Sequence, residues 1–259
     1  MRILWLSANK FGYELLLESQ KIIDKHDIEN IETVGIITLG NTASTRMYDA
    51  IDPEKSWYDF GCPVFKVDNI NNHISLIEDL QPDLIIMCGW RQIIKKNVLK
   101  IPPKGVIGFH PTLLPFGRGP APIINTILLG VKESGVTMYF VDEGTDTGDI
   151  IGQEQFFVND DDYAMDLYNK IIISGKKLIK KYLPLIAMDS NPRIPQNNKE
   201  AFIFPKRNFD DNEIDLIHNS PDLIMKKIRA FSEPYDGAHI TLDNKKIIFW
   251  KAEIKELYQ

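Results

Sequence analysis

Short apolar runs alternate with amphipathic stretches along the first half of the chain. Runs typical of buried strands occupy residues 2–6, 32–38, 63–67, 83–88 and 105–109. Apolar residues at helical spacing lie between them, at residues 12–25, 74–80 and 95–100. Strands that alternate with helices favour βαβ units and a parallel sheet. The pattern therefore predicts an α/β fold with a mostly parallel sheet flanked by helices.

The second half continues the sheet and then changes character. We predict a helix at 121–129 ended by Gly130, strands at 135–141 and 150–157, and a long helix at 163–183 ended by Pro184. A polar stretch at 189–198 indicates a domain boundary. Beyond it we predict a helix at 221–230 and a hairpin of residues 238–242 and 246–251. The expected division is a catalytic domain at 1–188, a linker at 189–200 and a small C-terminal domain at 201–259.

Composition sets only broad limits on function. The 259 residues are 44% hydrophobic and 25% charged, as in an ordinary globular protein, and no apolar run is long enough to cross a membrane. The formal net charge of −6 disfavours a large nucleic-acid footprint, which needs a basic face. Cys62 and Cys88 lack metal-ligand spacing. Together with the absence of a signal-peptide pattern after Met1, the two thiols favour the cytoplasm, and we expect no metal.

One histidine and one acidic loop carry the candidate chemistry. His110 follows the predicted strand at 105–109 and begins a Pro-rich turn, and the segment Asp146-Thr147-Gly148-Asp149 comes one helix and one strand later. Open α/β sheets bind ligands at the carboxyl ends of their strands. A lone histidine in a turn usually has a structural role, but its combination with Asp146 favours catalysis. We expect the His110 imidazole and the Asp146 carboxylate to meet in one solvent-accessible pocket.

A long polar segment and a missing motif bear on ligand binding. Residues 40–58 show no periodicity and form a candidate binding loop. At its end, Trp57 and Tyr58 are candidates either for stacking on a nucleobase or for anchoring the loop. The first strand-to-helix turn lacks the Gly-x-Gly-x-x-Gly spacing, which argues against a dinucleotide site.

Several motifs are highly specific when taken together and in order. They are His110-Pro111-Thr112-Leu113-Leu114-Pro115, Gly117-Arg118-Gly119-Pro120-Ala121-Pro122, Gly135-Val136-Thr137, Asp142-Glu143-Gly144-Thr145-Asp146-Thr147-Gly148-Asp149 and, in the tail, Pro234-Tyr235-Asp236-Gly237-Ala238. In these motifs the chain resembles the folate-dependent formyltransferases. That family includes methionyl-tRNA formyltransferase, glycinamide ribonucleotide formyltransferase and the nucleotide-linked amino-sugar N-formyltransferases. The resemblance implies a Rossmann-like catalytic domain followed by a small, mainly β, C-terminal domain.

The resemblance also implies a reaction. An amine would attack the formyl carbon of 10-formyltetrahydrofolate directly, through a tetrahedral intermediate, with no metal and no covalent enzyme intermediate. His110 would face the formyl group as hydrogen-bond donor or proton carrier. Asp146 would orient the imidazole or accept the amine proton. Such chemistry needs a donor for the developing oxyanion and a path for one proton.

The chain departs from the family pattern at one position. The family usually has Asn-x-His, in which the Asn amide is a second donor to the formyl oxygen, whereas this chain has Gly108. Loss of one oxyanion donor typically costs about 10²–10³ in rate. Another donor, such as Thr112, the backbone or a water, replaces the amide, or the enzyme is slow, or the protein binds folate and nucleotide sugar without catalysis. We favour replacement, because His110, Arg118 and Asp146 are all retained.

The resemblance places the ligands less specifically. Folate would lie against backbone groups of two segments, at Gly89, Trp90, Arg91, Gln92, Ile93, Ile94, Val141, Asp142 and Gly144. Trp90 and Ile93 also suit ordinary core packing. Substrate contacts would fall on Arg118, Lys10 and Thr112, although Arg118 suits equally well the role of locking the Pro-rich turn.

The amine is chosen by elimination within the family. A tRNA enzyme usually has a larger, basic C-terminal domain, and the purine-pathway enzyme lacks such a tail. We therefore expect a dTDP-, UDP- or GDP-linked amino-deoxy sugar as the partner substrate, for surface-glycan or lipopolysaccharide biosynthesis, and neither nucleic acid nor membrane. Methionyl-tRNA is the alternative. The predicted hairpin offers an edge strand for a homodimer, and a monomer with a covered edge is equally open.

Overall fold

The computed structural model describes residues 1–25, 31–40, 57–208 and 210–257. Within these ranges one large sheet dominates the fold. Its strands are β1 (Arg2–Ser7), β2 (Glu32–Leu39), β3 (Val64–Val67), β4 (Leu84–Cys88), β5 (Val106–His110), β7 (Glu133–Phe140) and β8 (Ile150–Phe157). Their order across the sheet is β3-β2-β1-β4-β5-β7-β8, with parallel pairing from β3 to β5 and antiparallel pairing of β7 with β5 and β8. The predicted α/β class is confirmed.

Helices cover both faces of this sheet. They are α1 (Lys10–Lys25), α2 (Ile74–Leu80), α3 (Lys96–Leu99), α4 (Pro122–Leu128), α5 (Ala164–Ala187) and α6 (Pro221–Ala230). Short 3₁₀ turns occupy Trp57–Phe60, Ile70–Asn72 and Asn198–Glu200. None of the helices in the described ranges combines the length and apolarity needed to cross a membrane.

The alternation of side chains along β1 shows why the sheet is buried on both sides. Ile3 and Trp5 belong to the cluster that contains α1 and α5, whereas Leu4 and Leu6 belong to the cluster beneath α2 and α3. Successive side chains of a strand point to opposite faces, so a strand covered on both sides must be apolar throughout. All four residues are fully buried.

Most predicted elements are confirmed, but the end of α5 is wrong. The helix continues through Pro184 to Ala187. A proline inside a helix costs about 3 kcal/mol, but here it removes a bond only near the final turn. The backbone N–H of Met188 donates to the Pro184 carbonyl at 3.2 Å, and Ile186 is buried beyond the proline. Packing of that last turn therefore offsets the lost bond.

The second strand of the C-terminal hairpin begins one residue earlier than predicted. Its strands are β10 (Ala238–Leu242) and β11 (Lys245–Phe249), so the turn has two residues instead of three. Asp243 and Asn244 both have positive φ, 49° and 59°. Two left-handed residues form the tight turn that matches strand twist, and Lys245 can therefore pair with Leu242.

Two very short strands were not predicted. β6 (Phe116–Arg118) and β9 (Phe202–Ile203) pair in parallel and connect the turn after His110 to the tail. Phe204 is buried, and its backbone N–H donates to the Arg118 carbonyl at 2.8 Å. Further along, Ile228 and Ala238 join the same cluster as α5. The tail thus packs on the large sheet region, while the predicted limits of the three segments remain a prediction.

Packing of α5 on the sheet gives a test. Gly152 of β8 lies under Tyr182, and a Cβ at Gly152 would be 2.1 Å from Tyr182 Cε2. We expect Gly152→Ala to lower the free energy of unfolding by about 1–3 kcal/mol, the usual cost of overpacking. Gly35→Ala in β2 is the matched control, since its Cβ would meet nothing closer than 3.4 Å. Urea denaturation measures both variants; equal stabilities would contradict the packing described here.

Candidate active site

His110 is the last residue of β5 and lies at the carboxyl end of the parallel strands. Its side chain is buried, and its Nε2 is 2.7 Å from the Gly117 carbonyl oxygen. Since a carbonyl only accepts, Nε2 donates in this contact. The backbone carbonyl of His110 accepts from the Thr112 N–H at 2.9 Å. The turn after β5 therefore fixes both the main chain and the ring of this histidine.

Asp146 faces the other side of the same imidazole. Its Oδ2 lies 3.5 Å from His110 Nδ1 and accepts the Gly119 N–H at 2.8 Å, and its Oδ1 accepts the Tyr139 hydroxyl at 2.8 Å. The backbone of Asp146 has a positive φ of 54°, a conformation that Asp tolerates better than most residues. The structure thus brings together the two predicted catalytic side chains.

Each ring nitrogen of His110 has an oxygen neighbour. Both ring nitrogens of His110 face oxygen acceptors, Gly117 O and Asp146 Oδ2. Neutral imidazole has one N–H, whereas imidazolium has two. An oxygen acceptor therefore lies beside each ring nitrogen. The Asp146 side chain keeps 16% of its surface exposed, and the neighbouring residues 142–145 are exposed, so solvent reaches the carboxylate.

Tyr139 belongs to this site and was missed in the sequence. It is buried on β7, directly opposite Gly108 of β5. Burial raises the pKa of its phenol well above the ordinary value, and the negative charges of Asp146 and Asp142 raise it further. The hydroxyl therefore remains a donor at neutral pH. A glycine inside a buried strand signals close approach by another group, and Gly108 was the available signal.

The Pro-rich turn is held by residues predicted to bind substrate. The Thr112 hydroxyl donates to Gly117 O at 3.3 Å, and Thr112 itself is buried. Arg118 is also buried and donates to Gln196 Oε1 at 2.7 Å and to Asn198 Oδ1 at 2.9 Å. These contacts correspond to the turn-locking role that the sequence left open for Arg118.

Gln196 links that turn to the acidic loop and was also missed. Its Nε2 donates to the Asp146 carbonyl at 2.9 Å and to the Gly148 carbonyl at 2.7 Å, while its Oε1 accepts from Arg118. It lies in the predicted linker, whose polar composition gave no sign of a role. One amide side chain thus connects Arg118 with the backbone of Asp146.

The first predicted folate segment follows β4 at the same edge of the sheet. Gly89 has a φ of 65°, and a Cβ there would meet the Asn9 side chain. Trp90 is partly buried, and its Nε1 is buried without a hydrogen-bond partner among the described residues. Gln92 donates to Asp68 O and accepts from the Ile70 N–H at 3.0 Å. These contacts hold the segment against the end of β3.

Its remaining residues differ in exposure. Arg91 is exposed, Ile93 is 81% exposed and Ile94 is buried. Core packing therefore does not account for Ile93, whereas it does account for Ile94, which lies in the cluster beneath α2 and α3.

The second predicted folate segment lies beside the first. Trp90 and Val141 pack on the same hydrophobic cluster, and Lys96 Nζ lies 2.7 Å from Glu143 Oε1. The exposed Asp142 carboxylate accepts from the Gly144 N–H at 3.1 Å and from the Thr147 hydroxyl at 2.7 Å. The fold therefore brings both segments onto one hydrophobic cluster, and Asp146, which follows the second segment, faces His110.

Other predicted features fall at the margin of this region. Lys10, the first residue of α1, is exposed at the same edge, after β1. Residues 41–56 of the predicted binding loop lie outside the described residues. Of the two aromatics at its end, Trp57 is fully buried and Tyr58 is 53% exposed, so Trp57 anchors this part of the chain.

Two further clefts lie in the part of the chain that the structure describes. A cleft of about 480 Å³ is lined by residues around Gln81 and Lys100, and one of about 440 Å³ by residues around Asp161 and Met225. Neither is lined by His110 or Asp146. In the part of the chain that the structure describes, no three His, Cys, Asp or Glu side chains are grouped to hold a metal ion.

Comparisons with known proteins identify the family of the chain. The sequence profile described as Formyl transferase matches residues 19–183. A methionyl-tRNA formyltransferase of Carboxydothermus hydrogenoformans is 30% identical over 99% of this chain and 81% of its own length. One of Desulforamulus reducens is 36% identical over 71% of this chain. The chain belongs to the formyl transferase family, as its motifs predicted. It spans only 58% of the length of the Desulforamulus protein.

Solved structures show the same fold. A sugar N-formyltransferase from Shewanella sp FDAARGOS_354 superposes with a TM-score of 0.76 over 99% of each chain at 18% identity. An N-formyltransferase from Helicobacter canadensis, in complex with folinic acid and dTDP-3-aminofucose, gives a TM-score of 0.70 at 23% identity over 95% of this chain and 86% of its own. The fold class predicted from the sequence, including a small extra sheet near the C-terminus, is therefore confirmed.

The protonation of Tyr139 can be tested by alkaline titration. Because its pKa is raised in the folded protein, the stabilisation from the neutral phenol is complete below pH 10 and is lost as pH rises further. We expect the absorbance change of tyrosine ionisation at pH 9–11 to be equal in wild type and Tyr139→Phe. Tyr58→Phe, which removes an exposed tyrosine, is the comparison variant. A reduced signal in Tyr139→Phe would show an ordinary phenol at position 139.

Proposed function

We propose that this protein transfers the formyl group of 10-formyltetrahydrofolate to the amino group of a nucleotide-linked amino-deoxy sugar. The observation that carries the proposal is the His110–Asp146 pair, with Nδ1 and Oδ2 3.5 Å apart at the carboxyl edge of the sheet. Ligands of open α/β sheets bind at this edge. The family supports formyl transfer, and the site supplies one base and one imidazole for it.

The chain offers suitable groups for a folate. Trp90 and Val141 pack on one hydrophobic cluster, so the segments 89–94 and 141–146 lie close together. The first follows the carboxyl end of β4, and Asp146 of the second faces His110. We propose that these segments bind the pterin mainly through backbone groups. When bound, the folate supplies the activated one-carbon unit.

The protein's own residues then have two tasks. One is to direct an N–H towards the carbonyl oxygen of the formyl group, and His110 Nε2 is the candidate, since it exchanges the Gly117 carbonyl for that oxygen. The other is to remove the proton of the attacking amine and return it to the leaving nitrogen. Asp146, held beside Nδ1 and open to solvent, is the base for this transfer. No nucleophilic Ser or Cys is required.

Charge favours a nucleotide sugar over tRNA as the amine. The whole chain carries a formal charge of −6, and acidic and basic residues are nearly balanced from 201 to the end. Binding of tRNA uses a basic surface, because most contacts are made to phosphates. The Helicobacter structure, which contains a dTDP-linked amino sugar, shares this fold. Lys10, exposed at the active edge, is a candidate contact for the diphosphate.

Methionyl-tRNA is the second candidate, favoured by a specific observation. Two relatives, at 36% and 30% identity, are named methionyl-tRNA formyltransferases. A single panel separates the two candidates, because formylation of a small sugar nucleotide needs no extended basic surface, whereas formylation of charged initiator tRNA does.

We expect turnover of 10-formyltetrahydrofolate with dTDP- or UDP-linked 3- or 4-amino-deoxy sugars and none above background with methionyl initiator tRNA or glycinamide ribonucleotide. Release of tetrahydrofolate is followed by absorbance, and the formylated product by mass spectrometry. Turnover with charged tRNA alone would replace the sugar by tRNA as the substrate. No turnover with any of these amines would refute formyl transfer by this protein under the proposed assignment.

The catalytic pair gives a second test. Removing an acid–base group typically lowers the rate by about 10²–10⁴, so we expect His110→Ala to lower kcat by that factor and Asp146→Asn to do the same. His218→Ala is a matched control, because His218 also faces an aspartate, Asp215, at 2.6 Å but is exposed and far along the chain. The control should retain wild-type kcat. Comparable losses in the two histidine variants would remove His110 from the mechanism.

A further inference from the structure

The strand pair β5–β7 contains an unusual combination of a small and a large residue. Gly108 and Tyr139 are directly opposite in the antiparallel register, and so their side-chain positions share one face of the sheet. A Cβ at Gly108 would lie 3.0 Å from Tyr139 Cε1 and 3.0 Å from Val141 Cγ2. Carbon atoms normally approach to about 3.5–4.0 Å. A side chain at position 108 would therefore press on the phenol ring and on Val141, which would have to shift by a few tenths of an ångström.

The same ring brings its hydroxyl to the catalytic carboxylate. Tyr139 Oη donates to Asp146 Oδ1 at 2.8 Å, while the Gly119 N–H binds Oδ2. With one oxygen held by each donor, the carboxylate plane cannot rotate without breaking a hydrogen bond. Oδ2 is thereby kept 3.5 Å from His110 Nδ1.

Other polar groups near Gly108 already have partners in the turn. The Thr112 hydroxyl donates to Gly117 O, and Thr137 Oγ1 donates to the Thr112 carbonyl and accepts from the Leu114 N–H. These groups support the main chain after His110. Tyr139 differs from them because its hydrogen bond goes to a side chain of the proposed chemistry.

We propose that Tyr139 is a positioning residue of the formyl-transfer site, admitted by Gly108 and acting through Asp146. This inference deepens the proposed function and rests on it for its kinetic consequence. Its structural basis is independent of the substrate. The glycine and the tyrosine form one unit, in which the small residue leaves room for the ring and the ring carries a hydroxyl to Asp146.

The surroundings suit a permanent donor. The charged or titratable groups that face the phenol are Asp146 and, further away, Asp142, and His110 lies beyond the Asp146 carboxylate. Burial and these two carboxylates keep the hydroxyl protonated through the working range of pH. Tyr139 therefore orients Asp146 without exchanging protons itself.

Kinetics of Tyr139→Phe test the role directly, because this variant keeps the ring over Gly108 and removes only the donor. A misplaced catalytic group costs up to about 10²-fold, and we expect kcat to fall about 10–100-fold with KM for folate and amine within twofold. Tyr168→Phe is the matched control: Tyr168 is also buried, and its hydroxyl accepts from the Phe11 N–H at 3.0 Å. That variant should lose stability but retain kcat.

A thermal double-mutant cycle tests the hydrogen bond without any substrate. We expect Tyr139→Phe to lower Tm by about 2–4 °C, as loss of one buried hydrogen bond does in a protein of this size. In an Asp146→Ala background the same change should shift Tm by less than about 1 °C. Equal shifts in the two backgrounds would refute the contact, and wild-type kcat in Tyr139→Phe would refute the positioning role. Failure of the wild-type protein to formylate any amine refutes the proposed function instead, and the cycle still decides the contact.

Discussion

The arrangement depends on a carboxylate that must be satisfied in a mostly buried setting. An ionised group removed from water is costly unless it is paired and hydrogen-bonded. Asp146 meets this requirement with the Gly119 N–H on one oxygen and the Tyr139 hydroxyl on the other, while His110 lies beside it. Each donor comes from a different part of the chain. Satisfying one negative charge therefore assembles the Pro-rich turn, β7 and the acidic loop into one site.

The parallel sheet explains why these parts meet. β1, β4 and β5 run side by side, so the residues at or after their carboxyl ends, among them Lys10, Gly89 and His110, lie at one edge. The antiparallel β7 runs the other way, with Thr137 beside His110 and Phe140 beside Ile107, so the loop after β7 turns back before Asp146 faces the imidazole. Covering the sheet on both faces with helices leaves this edge as the accessible place for binding. The position of the candidate active site therefore follows from the shared direction of the parallel strands.

Much of the fold was readable from local patterns, and much of the network was not. The runs that form β4 and β5 and the helix α6 are continuous signals, and the structure confirms them nearly to the residue. The helix end predicted at Pro184 was wrong, because packing of the buried Ile186 outweighed the local tendency of proline to end a helix. β6 and β9 have three and two residues, too few for any periodicity. Gln196 contacts Asp146 from 50 residues away, and Tyr139 contacts it from 7 residues away through a loop whose path has no periodic signal, so the sequence alone reveals neither contact.

The side chain of Gln196 gives a structural role to the polar segment that was predicted to be a linker. Its amide joins the carbonyls of Asp146 and Gly148 to the guanidinium of Arg118. A segment that resembles a passive tether by composition is thus a clamp across the active loop. An insertion, proteolytic cut or fusion junction placed there would break these hydrogen bonds and release the backbone of Asp146 and Gly148, even if the segments on either side stayed folded. A junction for joining or exchanging C-terminal segments is therefore better placed after Gln196.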